Sequence, residues 1–135
     1  MTITERDKHT EDLFSECLAI MHGKGSAYSG TNDANSNFKR NAERLGASKY
    51  QILMIYLNKH YDSIMNAVKL NPEAPVEHTE GMHGRIVDII NYLVILDSLL
   101  KEDEKWEEHP EQKISKKMSK RGTWPLGGPT LQEPL

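Results

Sequence analysis

The segment His83-Gly84-Arg85-Ile86-Val87-Asp88-Ile89-Ile90-Asn91-Tyr92-Leu93 sets an arginine, a carboxylate, an amide and a phenol into a run otherwise apolar enough for a core. Arg85, Asp88 and Asn91/Tyr92 recur at three- and four-residue intervals, so a helix places them on one polar stripe. Ile86, Ile89, Ile90, Leu93 and Leu96 fill the other faces and are built for burial. A buried charge is costly unless it is paired or bound to something. The stripe therefore either locks helices together or lines a pocket, and we read it as a pocket.

Three further groups can serve such a pocket. Lys24-Gly25-Ser26-Ala27-Tyr28-Ser29-Gly30 reads as a loop offering a lysine, hydroxyls and free backbone N–H groups, the means to grip a phosphate. It is no Walker loop, because the spacing differs and no strand precedes it. Lys59, Asp62 and Ser63 share a helix face, so a Lys59–Asp62 pair is the default, with Lys59 otherwise free to neutralise phosphate. Opposite Asp88, Asp62 can instead complete a carboxylate cluster for Mg²⁺, an ion that prefers oxygen ligands. Glu80, Gly84 and Asp88 follow one side of a helix at i, i+4, i+8, which makes Glu80 the second carboxylate of choice. Glu77 lies just before it. The six histidines show no zinc spacing, and His60 reads as a packed or surface residue. A serine hydrolase lacks its strand-to-helix elbow. Cys17, the single cysteine, sits among Leu13, Phe14, Leu18 and Met21 and reads as a small buried residue rather than a nucleophile.

The elements that must position these groups are helical. Apolar spacing predicts a first helix from Thr4, as N-cap, to about His22, stopped by Gly23 and Gly25. A short second helix carries Phe38, Ala42 and Leu45, starts at Asp33 or Asn35 and closes at Gly46. Ser48 caps a third helix over 49–70 with Tyr50, Leu53, Ile55, Tyr56, Leu57, Ile64, Met65 and Val68 inward. After a connector from Pro72 to Thr79, a fourth helix runs from about Glu80 to Trp106. No strand pattern competes. The fold class expected is all-α: a four-helix bundle-like domain over 1–108, then over 109–135 a basic segment followed from Gly122 by an irregular Pro/Gly-rich tail. In that tail Trp124, Leu126, Leu131 and Leu135 are candidate anchors on a partner.

At 135 residues the chain holds one domain. A formal charge of -3 carries no general nucleic-acid signature. No run approaches the ~18 apolar residues that span a bilayer. The N-terminal residues lack an apolar signal core, and a lone cysteine suits a reducing compartment, so a cytoplasmic location is expected.

The residues Cys17-Leu-Ala-Ile20, Lys24, Tyr28, Asn37-Phe38-Lys39-Arg40, Lys59-His60-Tyr61-Asp62-Ser63-Ile64 and Gly84–Leu93 together resemble a phage-associated all-α group, the nucleotide modification associated domain 1 family. More distantly they resemble the MazG-like nucleoside triphosphate pyrophosphohydrolases and all-α dUTPases. The resemblance covers about residues 10–102 and leaves the tail unmatched. It implies an oligomeric helical bundle that binds a nucleotide beside Mg²⁺-holding acids, in host cytoplasm if phage-encoded. By that resemblance Lys24 and Tyr28 contact the nucleotide, Arg85 grips phosphate, Asp88 is the helix-four carboxylate, and Asn91 and Tyr92 shape the base pocket. Two positions depart from it. Ala27 stands where the family carries an acid, and the paired glutamates of the active enzymes are missing. Helix one offers only Glu5, Asp7, Glu11, Asp12 and Glu16, of which Asp12 and Glu16, at i, i+4, could serve in their place.

Three functions compete on this reading. The first is Mg²⁺-dependent hydrolysis of a (deoxy)nucleoside triphosphate to monophosphate and pyrophosphate, with Asp88 and Glu80 catalytic and Asp88, Glu80 and Asp62 as metal ligands. The second is a binding module that sequesters a nucleotide or nucleotide-derived signal uncut. The third is an interaction protein that docks through its C-terminal tail.

Overall fold

A computed structural model describes residues 1–28, 30, 32–105, 108 and 110–121. Five helices occur in the order α1 (Ile3–Tyr28), α2 (Ser36–Leu45), α3 (Lys49–Leu70), α4 (Gly81–Glu102) and α5 (Pro110–Arg121), with no strand among the described residues. The all-α class expected from the sequence is what forms.

Helix ends follow local chemistry. α3 begins in a reciprocal capping box, in which Ser48 Oγ accepts from the Gln51 N–H and Gln51 Oε1 accepts from the Ser48 N–H. α2 closes on Gly46 at φ 61°, with the Ala47 N–H donating to the Ala42 carbonyl at 3.0 Å. α1 starts two residues earlier than expected, because Thr2 and Glu5 exchange side-chain bonds to each other's backbone N–H at 2.6 and 3.2 Å.

Its other end departs further. The helix runs through Gly23 and Gly25 to Tyr28 and absorbs most of the expected loop. Glycine in a helix costs about 1 kcal/mol relative to alanine, and two long-range contacts offset that cost. Lys24 Nζ reaches Asp88 Oδ1 at 2.7 Å, and Arg40 Nη2 donates to the Tyr28 carbonyl at 3.0 Å. α4 stops at Glu102, short of the expected Trp106. There Asp103 is tied to Lys49 Nζ and Tyr50 Oη at 2.6 Å each, and Glu104 takes a left-handed φ of 58°. The basic segment is helical from Pro110, a residue suited to a first turn, to Arg121. The proposed anchors at 124, 126, 131 and 135 lie outside the described residues.

The core sits between α2, α3 and α4, where Phe38, Ala42, Ile52, Leu53 and Leu99 pack against Tyr92, Ile95 and Leu96. α1 packs on α4, with Cys17 buried as expected. The start of α2 is pinned to the end of α4 by Asn35 Nδ2, 3.3 Å from both Ser98 Oγ and Glu102 Oε2, and by the Lys39–Glu102 ion pair. Several residues expected inward face solvent instead: Leu45, Ile55, Met65 and Val68, with Ile86 and Leu93 on α4. α3 and α4 are apolar on more than one side, and a single chain covers only the side facing the core.

Leu99 is fully buried and Leu45 is 71 % exposed. Leu99→Ala should therefore cost about 2–5 kcal/mol of unfolding free energy and Leu45→Ala less than about 0.5 kcal/mol, as read from urea denaturation.

Candidate functional site

The last turns of α1, the length of α2 and the facing sides of α3 and α4 enclose a two-part cleft. One part, about 520 Å³, is walled by Met21, Phe38, Tyr92, Val94 and Ile95, with Asn91 among them. The other, about 570 Å³, is bordered by Arg40, Arg44, Lys59, Tyr56 and His60. Lys24, Tyr28, Asn37, Phe38, Asp88 and Tyr92 line both, so the two are neighbouring halves of one space. Each half lies within the ~300–1,000 Å³ usual for small-molecule sites.

Aromatic packing shapes the junction. Tyr92 stacks on Tyr56 with centroids 6.2 Å apart and planes 8° from parallel, and Phe38 meets it edge-on at 6.4 Å. Burial, reinforced by the Asp88 charge, pushes the Tyr92 phenol pKa up and keeps it protonated. Asn91 is buried in the apolar wall, and its Oδ1 has no hydrogen-bond partner. A buried acceptor left unpaired costs about 1–3 kcal/mol, and this amide lies in the lining of the apolar half.

Behind the junction lies a polar cluster. His60, 2 % exposed, points Nδ1 toward Asp88 Oδ2 at 3.7 Å and Glu80 Oε2 at 3.8 Å. Arg85 meets the same nitrogen, with Nη1 3.1 Å from His60 Nδ1 and 3.2 Å from Glu80 Oε2, and Nη2 donating to Thr79 Oγ1 at 2.7 Å. Its Nε makes no hydrogen bond and stands 3.6 Å from Glu77 Oε2. Glu77 Oε2 also accepts from the N–H groups of Glu80 and Gly81 at 2.8 Å each, which caps the start of α4. Bonds from Thr79 and from these amides hold the Glu77 carboxyl at a pKa of about 2. Burial lowers the pKa of His60, against the pull of Asp88 and Glu80.

Of the residues singled out from the sequence, Lys24, Tyr28, Lys59, Glu80, Asp88, Asn91 and Tyr92 all border the cleft. Arg85 does not line it; the guanidinium is clamped within the protein. Asp62 is exposed and absent from the His60–Glu80–Asp88 group, the one convergent set of metal-capable donors among the described residues. At 100° per residue Asp62 lies about 200° around α3 from His60, which turns it away. The default Lys59–Asp62 pair is absent from the ion pairs of the described residues, leaving Lys59 open to the cleft. Asp12 and Glu16 pair instead with Lys8 and His83. The expected phosphate loop is the C-terminal end of a helix, whose dipole disfavours an anion, and its Lys24 side chain is paired with Asp88.

Sequence reasoning passed over His60, Glu77 and Arg44. The signal for His60 was present: Leu53, Leu57, His60, Ile64 and Ala67 form one inward stripe at heptad spacing, and a polar residue in such a stripe must be paired.

The acids fit Mg²⁺ poorly. That ion takes oxygen ligands in a near-octahedral shell, whereas two carboxylates here share their focus with an imidazole and already face Lys24 and Arg85. No family model, no curated protein and no solved structure matches the chain.

Glu77 has its pKa depressed in the folded state, so its stabilising contribution is complete above pH 4.5 and disappears as pH falls toward about 2. Glu77→Gln should lower stability at neutral pH and flatten the loss across that window. Urea midpoints measured from pH 7 to pH 2 check this.

Proposed function

We propose that the cleft binds a nucleotide, the base against the Phe38–Tyr92 wall and the phosphates toward Lys59 and Arg44. The observation carrying this reading is the division of one cleft into an apolar half with an unpaired amide and a cationic half. Lys59 and Arg44 form no ion pair among the described residues, so their charge is available to an anion. The Asn91 amide can exchange hydrogen bonds with a base edge, and Tyr92 offers a ring for contact. Sequestration without hydrolysis is the reading the site favours. Asp88 is neutralised by Lys24 and Glu80 by Arg85, and the resemblance to phosphohydrolases departs at the acids that would bind their metal.

Hydrolysis of a nucleoside triphosphate to monophosphate and pyrophosphate is the second reading. It is favoured by the position of Asp88 at the junction of the two halves, beside the expected phosphate path. A divalent ion would there supply charge neutralisation of the phosphates. A homo-oligomer is proposed for the exposed apolar side chains of α3 and α4, such as Ile55 and Leu93. No helix among the described residues is long and apolar enough to cross a membrane.

Calorimetry with ribo- and deoxynucleosides and their mono- and triphosphates separates these readings. Lys59→Ala should weaken a triphosphate about tenfold or more and leave a nucleoside unaffected, whereas Asn91→Ala should weaken both. Absence of heat with every nucleotide, together with no nucleotide in heat-released extracts, would end the proposal. Pyrophosphate release that disappears in Asp88→Ala would establish the second reading over the first.

A further inference from the structure

We propose that His60 Nδ1, Glu80 and Asp88 form a site for a divalent first-row transition ion, with Zn²⁺ as its probe, in place of the Mg²⁺ that the nucleotide resemblance suggests. The donor atoms of these three side chains all lie within 4.8 Å of one another. Around an ion with bonds of about 2.1 Å, neighbouring donors stand roughly 3.0–3.4 Å apart. The observed 3.7 and 3.8 Å from His60 Nδ1 to the two carboxylates therefore close by rotamer adjustments of a few tenths of an ångström.

Two independent features prepare this site. The first is the histidine tautomer. A guanidinium can only donate, so the 3.1 Å contact from Arg85 Nη1 makes His60 Nδ1 the accepting nitrogen, its lone pair held by Arg85 until that residue moves. The imidazole nitrogen that a metal needs is already unprotonated and lies 3.7 and 3.8 Å from the two carboxylates. The second is the state of Arg85, which is 8 % exposed and leaves its Nε without a partner, 3.6 Å from Glu77 Oε2. A small swing toward Glu77 completes that bond and withdraws Nη1 from His60 and Glu80. Arg85 thus has a second seat within reach, and its departure opens the triad to an external cation. Imidazole with carboxylates selects borderline transition ions, whereas Mg²⁺ is bound by oxygen alone.

Lys24 contests the same place, since its ammonium holds Asp88 Oδ1 at 2.7 Å. Removing it should strengthen metal binding, an effect opposite to that of removing a ligand.

The test uses the full chain with metal alone and no nucleotide, so its result is independent of the nucleotide reading. Titration calorimetry should find one Zn²⁺ per chain, bound at least tenfold more tightly than Mg²⁺. His60→Gln and Asp88→Asn should each lose this binding, Lys24→Ala should tighten it severalfold, and His83→Gln should leave it unchanged. If the buried His60→Gln variant fails to fold by circular dichroism, Asp88→Asn and Lys24→Ala decide the matter. Zn²⁺ binding that survives Asp88→Asn, that weakens in Lys24→Ala, or that only matches Mg²⁺ would overturn the proposal.

Discussion

The fold turns on one buried cation. Arg85 brings a guanidinium into the seam between α3 and α4, where stranding a charge by removing its partner typically costs 3–5 kcal/mol. The chain answers with the connector between those helices, which returns Glu77, Thr79 and Glu80 to meet it. Glu77 has two duties there. Its carboxylate faces Arg85 and also accepts the first orphan amides of α4, so the helix start and the buried charge are fixed by the same group. With that register set, α4 can turn only one way. Asp88, Asn91 and Tyr92 then follow at helical spacing along the cleft, and Leu99 reaches the core. The polar cluster and the packing of the domain are consequences of one placement.

Legibility in the sequence tracked how local each determinant was. α3 could be read to the residue because its signals, the Ser48–Gln51 box and Asn71-Pro72, lie next to its ends. The Arg85–Asp88–Asn91/Tyr92 stripe was legible for the same reason, as periodicity is a property of one helix. The end of α1 was not. Whether Gly23 and Gly25 stop a helix depends on Asp88 and Arg40, distant residues that hold the final turns in place. Asp62 was drawn into the metal set by type, although its angular position on α3 excludes it; His60, at the correct angle, was passed over by type. Arg85 was expected to face outward to phosphate because no local signal distinguishes a clamped guanidinium from a free one. Its partners lie in an irregular connector that periodicity does not describe.

The apolar faces show a related ambiguity. Ile55, Met65, Ile86 and Leu93 carry the hydrophobic signal of core residues, yet they are exposed on this chain. Periodicity reports that a face is suited to burial and is silent on what buries it. A helix with two apolar sides looks the same in sequence whether both are covered within one chain or one awaits another surface. The core that one chain does complete is small and one-sided, set between α2 and the inner faces of α3 and α4.

Charge distribution ties this architecture to the proposed ligand. Two unit charges about 7 Å apart near a protein surface interact by roughly 2 kcal/mol. Unneutralised carboxylates at positions 80 and 88 would therefore oppose a polyphosphate by an amount comparable to what Lys59 and Arg44 contribute. Arg85 and Lys24 remove that opposition and leave Lys59 and Arg44, which form no ion pair among the described residues, to the cationic half. Neutralised acids favour anion capture, while a hydrolase needs those acids free to hold its metal and orient water. On the proposed reading, the same Lys24–Asp88 and Arg85–Glu80 pairs leave these acids less able to oppose an anion or to hold a metal. A cation entering among His60, Glu80 and Asp88 would reverse that balance by displacing both pairs together.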